Sequence, residues 1–180
     1  MTPDSAQIDL KPHHKRTAYH ECGHAMLCLK RPRTFEFDQV VVYASPRFDE
    51  DRGCVSFGRC DYGFPVVCIG SREERLSDRI LETLTGPEAE RLFDQTLTAE
   101  TVGWDGDHHR AREFFKLLLK LPNDEEISNR FDAYRHEAVE FVSEHWAQIS
   151  KMAERVLKIT NEDGDYCLDS WDAEEFEDPN

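Results

Sequence analysis

The sequence lacks the features of a membrane, secreted or nucleotide-driven protein. No apolar run approaches the roughly 20 residues that a membrane-spanning helix needs. The polar start MTPDSAQIDLKPHHKR is unlike a secretory signal peptide. There is also no phosphate-binding glycine loop with its lysine, no internal repeat and no domain linker. These absences predict a single domain over residues 1–180, with no membrane insertion and no ATPase of its own.

Basic residues and closely spaced cysteines are also scarce. Lys and Arg number 22 against 37 Asp and Glu, which gives a formal net charge of -15. Such a chain repels polyanions, so nucleic acid and anionic membranes are poor partners. The six cysteines form no tight pairs and lie mostly inside apolar segments. They therefore indicate reduced thiols in a cytoplasmic protein rather than a disulfide framework.

Residues 17–29, TAYHECGHAMLCL, carry the strongest chemical signal in the chain. His20 and His24 are four residues apart, so on a helix they lie one turn apart on the same face. Two imidazoles at this spacing suit two corners of a zinc tetrahedron, and Glu21 suits a general base acting on water. The apolar spacing and Pro32 beyond the segment predict the helix. The pattern predicts hydrolytic zinc chemistry. The alternative is a buried helix whose two histidines are hydrogen-bonded and bind no metal.

Two histidines alone hold zinc weakly, so a third protein ligand is expected from a distant segment. One loop-to-helix turn offers five candidates: Asp105, Asp107, His108, His109 and Glu113. Asp107 also suits a helix N-cap, and His108 is a serious rival because imidazole is the better zinc ligand. His109 could orient ligands through hydrogen bonds. Cys22, inside the motif, could pack inertly or place a sulfur near the metal.

The remaining pattern predicts a mainly α (α+β) fold, with a small β hairpin or sheet beside the motif helix. Residues 1–13 are predicted to be a flexible leader, with His13 and His14 at the surface. The predicted strands are 39–44 and 54–57, joined by a polar loop. Capping signals and apolar spacing predict helices at 71–84, 85–93, 107–121 and 123–158. Residues 161–180 form an acidic tail, part of which could dock through Tyr166, Leu168, Trp171 and Phe176.

Several segments, in this order, resemble the peptidase domain of the FtsH-type membrane AAA proteases. That family carries HEAGHA on a helix, and residues 20–25 read HECGHA. VVVYASPRFDEDRGCVSFG resembles its following hairpin, and LTGPEAE at 84–90 resembles its glycine-joined helix pair. The family's third zinc ligand is an aspartate in a D-L-x-x-A helix start, to which DHHRA at 107–111 is similar. The resemblance covers roughly residues 14 to 160, without the family's ATPase module.

The resemblance implies a zinc-dependent endopeptidase. His20, His24 and Asp107 would hold Zn2+, and Glu21 would activate water. The peptide substrate would add as a strand to the sheet edge at Cys54, Val55, Ser56 and Phe57. Without an ATPase, such an enzyme reaches unfolded or flexible segments, or substrates that a separate unfoldase or adaptor delivers.

Two other interpretations remain open from the sequence. The chain could be a catalytically silent zinc-binding module that serves interaction or regulation. In that case the fourth coordination position would be closed, for example by Cys22. It could also be a zinc hydrolase of non-peptide amides, which would have a closed small-molecule pocket in place of an extended groove.

Overall fold

The computed structural model describes residues 11–49, 54–65, 70–97, 105–119 and 123–176. Helices dominate these ranges and the three strands form one antiparallel sheet, which confirms the predicted mainly α (α+β) class. The elements are α1 (Pro12–Lys30), β1 (Glu36–Asp49), β2 (Cys54–Gly63), α2 (Arg72–Phe93), α3 (Asp105–Leu119), α4 (Asp124–Glu144), α5 (Trp146–Val156), β3 (Tyr166–Asp169), α6 (Ser170–Ala173) and a final 3-10 turn, Glu174–Phe176. No helix within these ranges is long and apolar enough to cross a membrane.

α1 is the central helix of the fold. It packs against α2, α5 and one face of the sheet, so the sheet lies beside the motif helix as predicted. Because neighbours surround it, every residue from Cys22 to Leu29 is buried. The helix begins at Pro12, so the flexible leader predicted over 1–13 extends too far by two residues. Residues 1–10 lie outside the described ranges. His14 is buried rather than at the surface, because its Nε2 donates to the Ala44 carbonyl at 3.2 Å.

α1 and α2 cross at unusually close range. A Cβ added to Gly23 of α1 would lie 2.6 Å from the Thr85 carbonyl oxygen and 2.8 Å from the Ala89 Cβ. It would also lie 3.0 Å from the Cα of Gly86, so two glycines face each other at the crossing. Only the absence of side chains at this point allows the two backbones to approach so closely.

α2 is one continuous helix, so the prediction of separate helices at 71–84 and 85–93 is wrong. Its start is as predicted, with the Ser71 and Glu74 capping box formed. The Thr85 hydroxyl does not cap a second helix, because it donates to the Glu82 carbonyl one turn earlier at 2.9 Å. Pro87 therefore lies inside the helix. An interior proline typically costs about 3 kcal/mol, which packing against α1 has to offset.

The sheet has the strand order β2-β1-β3. β1 and β2 are longer than the predicted 39–44 and 54–57, and residues 50–53 between them lie outside the described ranges. β3 comes from the predicted acidic tail and pairs with β1, with Leu168 opposite Val40. Tyr166, Leu168 and Phe176 are buried as suggested, whereas Trp171 is 80% exposed. Residues 177–180 of the tail are outside the description.

The predicted long helix over 123–158 is also wrong, because it is divided at His145. The Asn123 and Glu126 capping box starts α4 as expected. At His145 the backbone leaves helical geometry (φ -98, ψ 11), and the ring Nδ1 donates to the Phe141 carbonyl at 2.9 Å. The break turns α5 onto α1. α3 begins at Asp105, two residues earlier than expected, and its predicted end at Leu121 lies outside the described ranges.

The crossing predicts that Gly23→Ala lowers the free energy of unfolding. The added methyl group overlaps backbone of α2, and such overpacking typically costs about 1–3 kcal/mol, against a helix-propensity gain of about 0.5–1 kcal/mol. The matched control is Gly106→Ala in the first turn of α3, where an added Cβ meets nothing within 4 Å. Urea unfolding should show a loss for Gly23→Ala and no loss for Gly106→Ala. Equal stability of the two variants would contradict the close crossing.

Candidate metal centre

Three potential metal ligands converge from two helices. α1 supplies His20 and His24, and the first turn of α3 supplies Asp107, 87 positions after His20. The His20 Nε2 lies 3.0 Å from the Asp107 Oδ2 and 3.1 Å from the His24 Nε2. The His24 Nε2 lies 3.9 Å from the same carboxylate oxygen. Within the described ranges, these residues form the one group of three or more His, Cys, Asp or Glu side chains close enough to share an ion.

The separations of these three atoms fit a zinc ion. Zinc bonds to nitrogen and oxygen are about 2.0–2.2 Å long, so two ligand atoms of a tetrahedral site lie roughly 3.3 Å apart. The three separations, from 3.0 to 3.9 Å, bracket that value. Two imidazoles and one carboxylate also match the donor types and the ligand count of catalytic zinc sites, in which water takes the fourth position.

α2 orients both histidine rings. The His20 Nδ1 donates to the Glu90 Oε2 at 3.0 Å, and the His24 Nδ1 donates to the Glu82 carbonyl at 2.7 Å. Both Nε2 atoms consequently face Asp107, which is how metal-binding histidines are usually oriented. Gly86 lies between the two glutamates, and a Cβ there would come within 2.2 Å of the His24 Nε2.

Glu82, Gly86 and Glu90 form one stripe of α2, because each is four residues from the next. Sequence reasoning missed the two glutamates as parts of the site. The available signal was two acidic residues, eight positions apart, on the face that their apolar neighbours mark as buried. Glu82 is 1% exposed and Glu90 is 7% exposed, which is rare for carboxylates that lack a specific partner.

The protonation of the cluster follows from burial and from these hydrogen bonds. Burial acts to lower the pKa of His20, but its bonds with Asp107 and Glu90 outweigh burial and raise that pKa well above the usual value. Burial lowers the pKa of His24 to about 4. Burial would raise the pKa of Asp107, but the bond with His20 outweighs it and holds that pKa well below the usual value. One proton on His20 therefore supplies the positive charge that the cluster needs.

Glu21 lies where β2 crosses α1. It is half-buried and directly follows His20. A Cβ added to Gly58 of β2 would lie 3.2 Å from the Glu21 Cγ, so the strand passes over this side chain without one of its own. Cys54, Val55, Ser56 and Phe57, the predicted substrate-binding residues, begin the same strand. Val55 and Phe57 are exposed, and Gly58, the next residue in the strand, lies against the Glu21 side chain.

The other candidate ligands whose side chains the structure describes are not part of this group. The His108 ring packs edge-on against Phe131 of α4, with ring centroids 5.2 Å apart, and burial lowers its pKa. His109 is exposed, and Glu113 pairs with Lys116 at 2.6 Å. Cys22 is fully buried in the core, and that burial raises the pKa of its thiol well above the usual value. The side chain of Asp105 is outside the description.

No protein-family model and no curated protein sequence matches the chain. The resemblance to the FtsH-type peptidase domain therefore depends on the motif residues themselves. Two of the matching segments meet in the structure: the histidines of HECGHA and the aspartate at the start of DHHRA form the group of potential ligands.

We expect Asp107→Ala to lose zinc and His108→Ala to keep it. Removing the carboxylate leaves two ligands, whereas the His108 ring faces Phe131 and contributes nothing to the cluster. Metal analysis after dialysis should give close to one zinc per chain for the wild type and His108→Ala, and far less for Asp107→Ala. The reverse pattern would assign the third ligand to His108.

Zinc affinity should fall as the pH is lowered through the neutral range. The raised pKa of His20 means that a proton occupies this ligand near neutral pH, and binding must displace it. One displaced proton weakens the affinity by about tenfold per pH unit below that pKa. Glu90→Gln removes a charge that holds the proton, so it should flatten the pH dependence. Competition titration with a chromophoric chelator measures the zinc affinity of the wild type and of Glu90→Gln at each pH. A wild-type affinity that does not change with pH would contradict the assignment of His20 as a protonated ligand.

Proposed function

We propose that the chain is a zinc-dependent endopeptidase that hydrolyses unfolded or flexible peptide segments. The observation that carries the proposal is the convergence of His20, His24 and Asp107 beside Glu21 and an edge strand. When bound, zinc would supply a Lewis acid that polarises a carbonyl and lowers the pKa of a water molecule.

Glu21 is the proposed general base. Its carboxylate would accept the proton of the attacking water and then deliver it to the nitrogen of the departing amine. Its place next to His20 in α1 keeps it beside the ligand cluster. Gly58 has no side chain where β2 passes the Glu21 side chain, so the strand can approach this residue closely.

β2 is the proposed guide for the peptide. It is the outer strand of the sheet, and within the described ranges it pairs with β1 alone. An extended peptide can add to such an edge through backbone hydrogen bonds, while exposed Val55 and Phe57 offer apolar contacts to its side chains. A folded protein rarely presents an extended segment of this kind. We therefore propose flexible substrates, and delivery of folded ones by a separate unfoldase or adaptor in the cytoplasm.

The position of Cys22 bears on the alternative of a silent zinc-binding module. A closed structural site needs a fourth protein ligand. Cys22 was the candidate in the motif, but it lies in the apolar core, and the group of potential ligands contains no sulfur. This arrangement, together with the base and the edge strand, favours the peptidase.

Glu21→Gln should abolish peptide hydrolysis while leaving zinc content and stability nearly unchanged. Glutamine keeps the size and hydrogen bonding of the side chain but cannot accept the proton of water, and loss of a general base typically costs about 100-fold or more in rate. Cleavage of an unfolded casein-like substrate measures the effect. Glu73→Gln, an exposed change on α2, is the matched control. Full activity of Glu21→Gln would refute this mechanism.

Hydrolysis by this chain should be indifferent to ATP and selective for unfolded substrates. The 180-residue sequence contains no phosphate-binding glycine loop, and an edge strand accepts only extended segments. A destabilised variant of a substrate domain should be cleaved in proportion to its unfolded population, and its stable parent should survive. Cleavage of the stable parent faster than it unfolds would contradict edge-strand binding.

A further inference from the structure

A pocket of about 590 Å³ lies between one end of the β1–β2 pair and the start of α3. Its lining includes Glu36, Asp38, Cys60, Asp61, Tyr62 and Arg110. Glu21 and the three candidate metal ligands are not among its lining residues. It nevertheless adjoins that site, as its contacts with Glu82 show.

Glu82 connects the pocket to the metal centre. The Tyr62 hydroxyl in the pocket wall donates to the Glu82 Oε2 at 3.0 Å, and the carbonyl of the same glutamate accepts from the His24 Nδ1 at 2.7 Å. Burial is the main cause that raises the pKa of Glu82 to about 7. A single residue therefore separates the pocket wall from a ligand ring.

β2 runs from the proposed base to the pocket. Gly58, Cys60 and Tyr62 alternate along the strand, so they lie on the same face. Gly58 lies against Glu21, and the next two residues on that face line the pocket. A strand advances roughly 3.3 Å per residue, so Cys60 lies roughly 7 Å along β2 from Gly58. A peptide on this edge, cut beside Glu21, would bring a side chain to the pocket within a few residues of the cut.

Arg110 provides a half-buried positive charge in the pocket. It follows Asp107 by three positions in α3, which places the two side chains on neighbouring parts of one helix face. Its guanidinium forms no hydrogen bond or close ion pair with a described residue, unlike Arg135, which pairs with Glu88 at 2.6 Å. Its charge acts through space on Asp107 and Glu82, where it works to lower the pKa of each carboxyl. A guanidinium in this position is well suited to bind a carboxylate through two parallel N–H donors.

Among the described residues, none of the carboxylates that line the pocket forms an ion pair with Arg110. Asp61 already pairs with Arg59 at 2.7 Å. Glu36 and Asp38 are exposed, so water screens them more than it screens Arg110. The formal net charge of -15 repels polyanions from the molecule as a whole. A single carboxylate on an otherwise uncharged segment is therefore the ligand that fits best.

We propose that Arg110 binds a carboxylate of the substrate in this pocket and thereby makes the site selective for peptides that carry a single carboxylate at that position. An acidic side chain and a free C-terminus offer the same chemistry. The preference during cleavage rests on the proposed peptidase function, whereas the preference during binding does not.

Binding to zinc-loaded Glu21→Gln protein tests the inference without turnover. The probes are labelled, unstructured peptides with blocked ends that differ only in one Glu or Gln, and a third Gln peptide with a free C-terminus. A charge-assisted hydrogen bond predicts about tenfold tighter binding of the Glu peptide, of the free-C-terminus peptide, or of both. The pattern among the three identifies the source of the carboxylate. Equal affinity for all three peptides would overturn the proposal.

Variants at Arg110 connect the preference to this residue. Arg110→Gln should remove it, and Arg110→Lys should retain part of it. Arg110→Glu should favour a Lys peptide. The control is Arg112→Gln on the same helix, where the side chain is exposed over the Phe131 ring at 4.9 Å. An acidic preference that survives Arg110→Gln, or a basic preference that depends on Glu36 and Asp38, would overturn the proposal.

Mapping of cleavage sites in an unfolded protein separates the two proposals. Glu21-dependent cleavage without enrichment of acidic residues near the cut would overturn the role of Arg110 and leave the peptidase intact. Absence of any cleavage by wild type would count against the peptidase, and the binding comparison would still decide whether Arg110 holds a carboxylate.

Discussion

The close approach of α1 and α2 positions the two histidine rings of the candidate metal centre. Neither helix carries a side chain at Gly23 or Gly86, so the α2 backbone lies against the His24 ring. At this distance the Glu82 carbonyl and the Glu90 carboxylate reach the two Nδ1 atoms. The Nε2 atoms are then directed towards Asp107. A wider crossing would leave both rings without these partners and free to rotate.

The electrostatics of the cluster explain why it suits a cation. Glu82, Glu90 and Asp107 bring buried or half-buried carboxylates around two imidazoles, and uncompensated buried charge is costly. The raised pKa of His20 is the response of the site, because a proton held there offsets part of the negative charge. A divalent ion would do so more fully, since it can contact both imidazoles and the carboxylate at once.

Sequence periodicity predicted the motif helix and the hairpin. The residue types of one loop-to-helix segment supplied five candidates for a third ligand. Periodicity also carried an unused signal, because Asp107, Ala111 and Phe115 are four residues apart and the last two are fully buried. That spacing places Asp107, rather than His108, on the inner side of α3. The continuity of α2 and the break at His145 depend on local hydrogen bonds and packing. The docking of β3 depends on a partner strand distant in sequence, which no local pattern reveals.

The most direct test of the account is the X-ray absorption spectrum of the zinc-loaded protein at the zinc edge. The account predicts scattering from two imidazoles and from oxygen ligands, with all first-shell distances at about 2.0–2.2 Å. It also predicts that Asp107→Ala changes the oxygen contribution and that the Cys22 sulfur contributes nothing. A sulfur scatterer at about 2.3 Å, or a single imidazole, would contradict the metal centre described for this chain.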